Sequence, residues 1–311
     1  MIGKKLAKNL TKFTMPDLSV IILNYNTKDL LRDCLKSVIS DKRIEIIVVD
    51  NASTDGSAEM VKKEFPQVEL IVSKKNLGFA AGNNLALKKA SGKYILFLNS
   101  DAQVKPETFK KMIAFMESDP QIGASTAKTM LFSGRMDPDC HRGFPTPWAS
   151  VCYFLGLERL FPKSRFFGQY HKFYLDLNKP HEIDAGFGTF MVVRAEVLKQ
   201  VGNWDENYFF YGEDLDLFYR IKKAGWRVMF YPEPLVMHHK GASSGLRTES
   251  KEVTRASREI RIKTAKTSIK AMEIFYKKFY KDKYPFWATW LVLLGIKIRG
   301  SFRILFHYLK R

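Results

Sequence analysis

Short apolar runs, separated by stretches of helical spacing, limit what the first hundred residues can become. Leu18–Asn24 (LSVIILN) and Ile44–Asp50 (IEIIVVD) read as strands buried on both faces, and Val68–Ser73 and Tyr94–Leu98 as a third and a fourth strand. Between the first two, Leu30, Leu31, Cys34, Leu35, Val38 and Ile39 recur at helical spacing behind Asp29, and Ser57–Phe65 and Phe79–Ala90 read as further helices. Strands alternating with helices of this length predict βαβ units. The chain is therefore expected to be an α/β protein with a mostly parallel sheet flanked by helices.

Periodicity fails from Phe132 to Pro180, a stretch rich in aromatics, Pro and Gly that includes HRGFPTPWASVCYFLG and FPKSRFFGQYHKFY. A loop region this long inside a compact domain is usually functional. Regular structure is expected again over Asp184–Arg194 and in a short helix ending at Gly202. A helix from about Glu213 to Ala224, stopped by Gly225, and a strand over Trp226–Tyr231 follow.

The last fifth of the chain differs. Val253, Ala256, Ile260, Ile269, Met272, Tyr276 and Phe279 predict one long basic amphipathic helix. Tyr284–Ile296 (YPFWATWLVLLGI) is strongly apolar but too short for the ~20 residues that span a bilayer. Trp-bearing and flanked by Lys and Arg, it suits a membrane interface instead. The net charge of +19 is concentrated here, with 17 Lys/Arg against 5 Asp/Glu from Leu246 to Arg311. Such a segment attracts anionic lipid or nucleic acid. A nucleic-acid binder would spread basic residues and exposed aromatics over its main domain, so nucleic acid is not the expected partner. Three scattered cysteines, Cys34, Cys140 and Cys152, form no CxxC pair and fit a reducing cytosol. Residues 1–17 form a basic lead-in without the apolar core of a secretory signal.

In an open parallel sheet, ligands bind beyond the carboxyl ends of the strands. That rule selects Asn24, Tyr25 and Asn26, then Asp50, Asn51, Ala52 and Ser53, then Asn99, Ser100 and Asp101. Asn24 or Ser53 alone is equally well a cap or turn residue. Three strand ends delivering amides and acids to one edge are harder to attribute to capping. Asn76–Asn84 (NLGFAAGNN) leads into a helix through glycine, either as a tight turn or as a phosphate or hydroxyl site.

Tyr208–Arg220 (YFFYGEDLDLFYR) carries the strongest local signal. On a helix, Asp214 heads the apolar stripe of Leu217, Phe218 and Ile221, whereas Asp216 lies over Arg220 at i+4. Buried carboxylates are rare unless used or paired, so Asp214 reads as a working group and Asp216 as structural. Glu213 is either a first-turn acid or a ligand. Downstream, only one of His238 and His239 can point inward from a strand, where it could share a divalent ion with Asp101. A nucleotidyltransferase would carry a Gly-rich basic loop after its first strand, but NYNTKDLL has no glycine. A non-catalytic scaffold has no use for Asp101 and Asp214.

In chain order, VIILNYN, IIVVDNASTDGS, NLGFAAGNN, FLNSDA, GFGTFMVVRAEV and YFFYGEDLDLFYR resemble the family-2 inverting glycosyltransferases of the GT-A (Rossmann-like) fold. The resemblance is closest to the rhamnosyltransferase-like branch of bacterial cell-wall and O-antigen synthesis, and it covers Leu18 to Gly245. It implies a nucleotide-sugar half (18–130), an acceptor and catalytic half (131–245) and a helical membrane-associating segment (246–311). Asp50 would read the nucleotide base, with Asn24, Asn51, Ser53 and Asp55 around it. Asn76, Gly78 and Asn83 would approach the ribose and diphosphate. Asn99-Ser100-Asp101 occupies the place of the DxD motif, with Asn at its first position and Asp101 as ligand to Mn2+ or Mg2+. His238, by its spacing to Gly241 and Ser243, would be the second metal ligand, and Asp214 the catalytic base. The implied donor is dTDP-rhamnose, with UDP-hexose or UDP-N-acetylhexosamine as the alternative. The implied acceptor is a polyprenyl-diphosphate-linked sugar or a polysaccharide, at the cytoplasmic face of a membrane containing anionic lipid.

Overall fold

The computed structural model describes residues 16–39, 44–240 and 258–309. The lead-in up to Met15, the boundary at Gly245, and Val253 and Ala256 of the predicted basic helix lie outside the described residues. Within them the order is β1 (Leu18–Asn24), α1 (Lys28–Val38), β2 (Ile44–Asp50), α2 (Ser57–Glu64), β3 (Glu69–Val72), α3 (Phe79–Leu87), β4 (Tyr94–Asn99) and β5 (Ala102–Val104). Next come α4 (Glu107–Ser118), β6 (Ile122–Leu131), α5 (Pro147–Phe154), α6 (Leu157–Leu160), β7 (His181–Glu182), β8 (Phe190–Arg194) and α7 (Ala195–Val201). The chain continues with α8 (Glu213–Lys223), β9 (Arg227–His238), α9 (Arg258–Phe279) and α10 (Phe286–Leu309).

The strands form one mixed sheet in the order β3-β2-β1-β4-β8-β6-β9-β5, with β7 on β9. The first four strands are parallel, as the apolar runs predict. β8 runs antiparallel between β4 and β6, and β5 and β7 run antiparallel to β9. Consecutive residues of β1 serve opposite faces. Val20 and Ile22 pack with α1, α2 and α4, while Ile21 packs with α3, α7 and α8. Double-sided burial explains why β1, β2 and β4 read as apolar runs, whereas β3, at the sheet edge, is partly exposed.

Two sequence expectations change. β9 does not stop at Tyr231; it passes Pro232 and Pro234, with a break in its β6 register after Ala127, and continues to His238. The apolar run Tyr284–Ile296 also reaches further than its pattern suggests: from Phe286 onward it opens the 24-residue α10, which continues to Leu309. Among the described residues no helix is long and apolar enough to cross a membrane.

The C-terminal helices are joined to the main body by side-chain packing. Ala271, Phe275 and Tyr276 of α9, with Tyr280 beyond it, bury against Tyr208 in a third apolar cluster. Lys278 reaches Asp216 of α8 at 2.6 Å. α10 lies along α9 so closely that a methyl group at Gly300 would collide with Ile269.

Candidate functional site

The register of the parallel strands aligns their ends. Asn24 pairs with Asp50 and Leu23 with Asn99, so the carboxyl ends of β1, β2 and β4 form one edge. Asn24 is buried and spends its side chain on this edge. Its amide donates to Asp50 Oδ1 and Ser53 Oγ, both at 3.1 Å, and its oxygen accepts from Thr27 Oγ1 at 2.7 Å. Thr27 in turn meets Ser100 Oγ at 2.8 Å. Asp50 Oδ2 accepts from the Ser53 backbone at 3.0 Å. Asn26 and Ala52 take up left-handed conformations at the two turns, strain of the kind that collects at binding sites.

Asn51 anchors the next loop. Its amide donates to Asn76 Oδ1 at 3.1 Å and to the Gly78 carbonyl at 3.2 Å, while its oxygen accepts from Leu77 N at 2.9 Å. Gly78 has φ +83°, and any Cβ there would strike the Phe209 carbonyl, which accepts from Phe79 N at 2.8 Å. Only glycine lets the start of α3 sit this close to the Phe209–Tyr211 loop.

A cavity of about 340 Å³ opens above this edge, within the range of small-molecule sites. Asn51, Asn76, Gly78, Asn99, Ser100, Asp101, Glu213, Asp214 and His238 line its wall, so most sequence-predicted site residues do converge. Asn24, Asp50 and Ser53 sit behind the wall and tie the strand ends together. Asp55 is turned away to accept from Lys28 N at 2.8 Å and Ser57 N at 3.1 Å. Asn83 is likewise used inside α3, donating to the Phe79 carbonyl at 2.9 Å.

Sheet pairing brings Asp101 and His238 together. Asp101 directly precedes β5, whose Ala102 pairs with His238 at the end of β9. His238 Nε2 lies 3.3 Å from Asp101 Oδ1, and its Nδ1 lies 3.4 Å from Asp137 Oδ2. His239 instead stacks on Phe132, 3.7 Å between ring centres. Burial opposes charge on His238, but Asp101 and Asp137 outweigh it and lift the imidazole to about 9. Lys240 forms ion pairs with Asp137 and Asp139.

The opposite wall is built by α8. Tyr211 and Gly212 are both left-handed and turn the chain into its first turn, where Glu213 and Asp214 stand. Asp214 Oδ2 accepts from Arg142 Nη2 at 2.7 Å. The same guanidinium donates to the Gly186 carbonyl through Nε at 2.9 Å and Nη2 at 2.7 Å. Burial raises the Asp214 carboxyl above its ordinary range, and Arg142 pulls against that rise. Glu213 is buried with Oε2 unpartnered, and burial together with the charge of Asp214 raises it well above the carboxylate range. Two adjacent carboxyl groups are therefore both raised by burial, and the Arg142 guanidinium opposes that rise at Asp214, where it also makes a direct hydrogen bond.

Residues 19–202 match the family model "Glycosyl transferase family 2". The chain belongs to glycosyl transferase family 2. It is 25% identical over 222 residues to an N-acetylglucosaminyl-diphospho-decaprenol L-rhamnosyltransferase of Mycobacterium tuberculosis, an alignment covering 67% of this chain and 71% of the relative. Its fold matches that of a mannosyltransferase from Pyrobaculum calidifontis solved with GDP-Man and Mn2+, with a TM-score of 0.56 and 17% identity. That match covers 95% of this chain and 74% of the other. GalNAc-T7, solved with UDP, GalNAc and Mn2+, matches with a TM-score of 0.53 and 16% identity over 87% of this chain and 57% of its own.

In this glycosyltransferase several cavity residues were not visible in the sequence pattern. Arg142, Asp139 and Lys240 line the cavity and continue the ion pairs from Asp214 toward His238, with Arg142 Nη1 at 3.9 Å from Asp139 Oδ1. Thr189 bridges Asn99 Nδ2 at 3.1 Å and His238 Nε2 at 3.4 Å. Lys263, Thr264 and Thr267 of α9 close another side. Asp216 is structural, as its i+4 spacing implies, but its partners are both Arg220 at 2.6 Å and Lys278 of α9. It is wholly buried and Asp214 is not, so burial alone did not separate working from structural acid.

The Asp101 and His238 pair fits a divalent cation. Asp101 Oδ1 is buried without a hydrogen-bond partner, 3.3 Å from His238 Nε2; with the imidazole proton displaced, the two would make an oxygen and nitrogen donor set suited to Mn2+. Among the described residues no group of three or more His, Cys, Asp and Glu side chains forms a complete metal cluster.

Proposed function

We propose that this glycosyltransferase moves a sugar, rhamnose from dTDP-rhamnose, onto a polyprenyl-diphosphate-linked acceptor with inversion at the anomeric carbon. The observation carrying the mechanism is Asp214: a carboxyl group held on the cavity wall by the Arg142 guanidinium, facing a space that Asp101 and His238 also line.

The nucleotide would lie over the edge formed by β1, β2 and β4, with Asn51 and Asn76 beside it and Asp50 behind. Asp101 and His238 would hold Mn2+ or Mg2+, which when bound supplies Lewis-acid neutralisation of the leaving diphosphate. Asp214 accepts the proton of the acceptor hydroxyl as that oxygen attacks the face opposite the leaving group. General-base assistance of this kind contributes about 10²–10⁴ in rate. Arg142 fixes the carboxylate and favours its ionised form, while Glu213, raised by burial and by the charge of Asp214, stands beside it on the cavity wall.

The rhamnosyl assignment rests on the mycobacterial relative, whose name gives both the sugar and a lipid-diphosphate acceptor. A UDP-hexose or UDP-N-acetylhexosamine donor is the second reading, since Asp50 and its neighbours do not separate uracil from thymine. The setting we propose is the cytoplasmic face of a membrane, with α10 as a peripheral anchor. Its apolar stripe faces outward, and Phe286 is 84% exposed.

A panel of dTDP- and UDP-sugars, with and without Mn2+, tests the assignment through melting temperature. A ligand that binds only the folded state raises it by mass action. A shift with dTDP-rhamnose that needs Mn2+ agrees with the proposal, a shift with UDP-sugars alone changes the donor, and no shift with any nucleotide contradicts the reading.

A further inference from the structure

We infer that the segment from Trp148 to Phe166, around α5 and α6, is a second lipid-binding element that forms one membrane-facing surface with α10. The inference rests on the reading of α10 as a membrane anchor and gives a role to part of the aperiodic, aromatic-rich stretch between Phe132 and Pro180.

On α10, Trp287, Trp290, Leu294, Ile298, Phe302 and Leu305 follow one another at intervals of three or four residues, so they share one side of the helix. All six are exposed, while Val292 and Leu293 pack inward and Gly300 abuts Ile269 of α9. An ordinary amphipathic helix would bury that stripe. Here it is turned outward.

The α5–α6 segment presents the same character. Phe154, Leu155, Leu160, Phe161 and Phe166 are exposed, Leu155 by 67% and Leu160 by 70%. These are not loose side chains on a tail. The segment is held to the body by the Thr146 cap on α5, by Cys152 and by Glu158, whose buried carboxylate meets His171 Nδ1 at 2.6 Å. A rigid segment that keeps five large apolar side chains in solvent presents a patch of the kind that marks an interaction surface.

Two observations join the patches and choose the occupant. The Arg299 guanidinium of α10 lies 3.6 Å from the ring centre of Phe154, so the surfaces are continuous. The charges around both have one sign. Arg159, Lys163 and Arg165 on the segment, and Lys297, Arg299 and Arg303 on α10, are exposed. The acid within the segment, Glu158, is buried and paired, and α10 carries none. Apolar side chains ringed by cations, with exposed acids absent, complement an anionic bilayer surface: apolar groups enter the acyl boundary and cations remain at the headgroups. α9, which carries α10 along its length, also walls the cavity through Lys263, so the lipid-facing surface and the site belong to one body.

The test is co-sedimentation of the full chain with vesicles of mixed phosphatidylglycerol and phosphatidylcholine, and with phosphatidylcholine alone. Melting temperature and donor-induced stabilisation serve as folding controls, and size exclusion reports self-association. L155D/L160D should lower partition onto anionic vesicles by at least about tenfold, since each leucine loses the burial of a whole side chain. R159E/K163E/R165E should remove the preference for anionic over neutral vesicles. W290D/F302D on α10 tests the anchor separately and should also lose partition. If only W290D/F302D loses binding, the second element is wrong and the anchor stands. If the unmodified chain does not sediment with vesicles, both fall. If the chain self-associates and L155D/L160D makes it monomeric without changing vesicle binding, a second copy covers the patch and the inference is overturned.

Discussion

Replacing Arg142 removes the counter-charge of Asp214 and should be felt in both stability and pH dependence. The two side chains are only 10% and 14% exposed, and their contact is 2.7 Å. Breaking a buried pair by deleting one partner costs about 3–5 kcal/mol. The remaining exposure places R142Q near the low end, at about 3 kcal/mol. Loss of the two hydrogen bonds to the Gly186 carbonyl works in the same direction. At roughly 2–4 °C per kcal/mol for a chain of this class, the melting temperature should fall by about 6–12 °C.

The catalytic consequence has a definite sign. The guanidinium opposes the burial that raises Asp214, so without it the carboxyl rises further and its ionised fraction at neutral pH falls. The acid limb of kcat/KM against pH should therefore move to higher pH in R142Q. R142K keeps a charge but cannot fork to both Gly186 and Asp214, so it should restore the limb more fully than the stability. Urea unfolding and transfer rates across pH read the two effects. An R142Q enzyme within about 1 kcal/mol of the parent, with an unmoved acid limb, would refute the reasoning; exposed pairs contribute about that little.

Other expectations follow from single contacts. Glu213 is raised in the folded state, so the folded enzyme binds more protons, and stability falls as pH climbs above the usual carboxylate value of ~4.3. E213Q removes that penalty, so its melting temperature relative to the parent should increase as pH rises above ~4.3; a constant difference contradicts the assignment. D101A should abolish the part of nucleotide-induced stabilisation that depends on Mn2+, checked by thermal shift with and without the ion; retention of that dependence would move the metal elsewhere. G78A places a methyl group against the Phe209 carbonyl at φ +83° and should cost more than ~1 kcal/mol, measured by urea unfolding.

Much of the edge of the site was legible because it depends on local pattern. Unbroken apolar runs mark β1, β2 and β4, and the residues just beyond them reach the cavity because parallel register aligns the strand ends. Helical spacing likewise placed Asp214 over Leu217, Phe218 and Ile221. Arg142 was invisible for the opposite reason. It lies in the aperiodic stretch, and its partner is 72 positions away, brought near only by the return of the chain through β8 and α8. Asp137, Asp139 and Lys240 were missed on the same ground, since a turn after β6 and the end of β9 bring them together. His238 was preferred over His239 by motif spacing, and the actual device is the pairing of β5 with β9. The sequence separates a basic helix from an apolar run after it, but not the faces they bury: α9 packs its aromatic face against Tyr208, whereas α10 turns a whole apolar stripe outward. Packing decides those faces.

The most direct test of the central claim is single-turnover sugar transfer by D214N, measured beside donor-induced thermal stabilisation of the same protein. If Asp214 is the general base, transfer falls by about 10²–10⁴, equivalent to ~3–5 kcal/mol of barrier, while donor-induced stabilisation is kept even though loss of the Arg142 pair lowers the melting temperature of the free enzyme. Transfer by folded D214N within a few fold of the parent would contradict it and send the search for the base to another residue of the cavity.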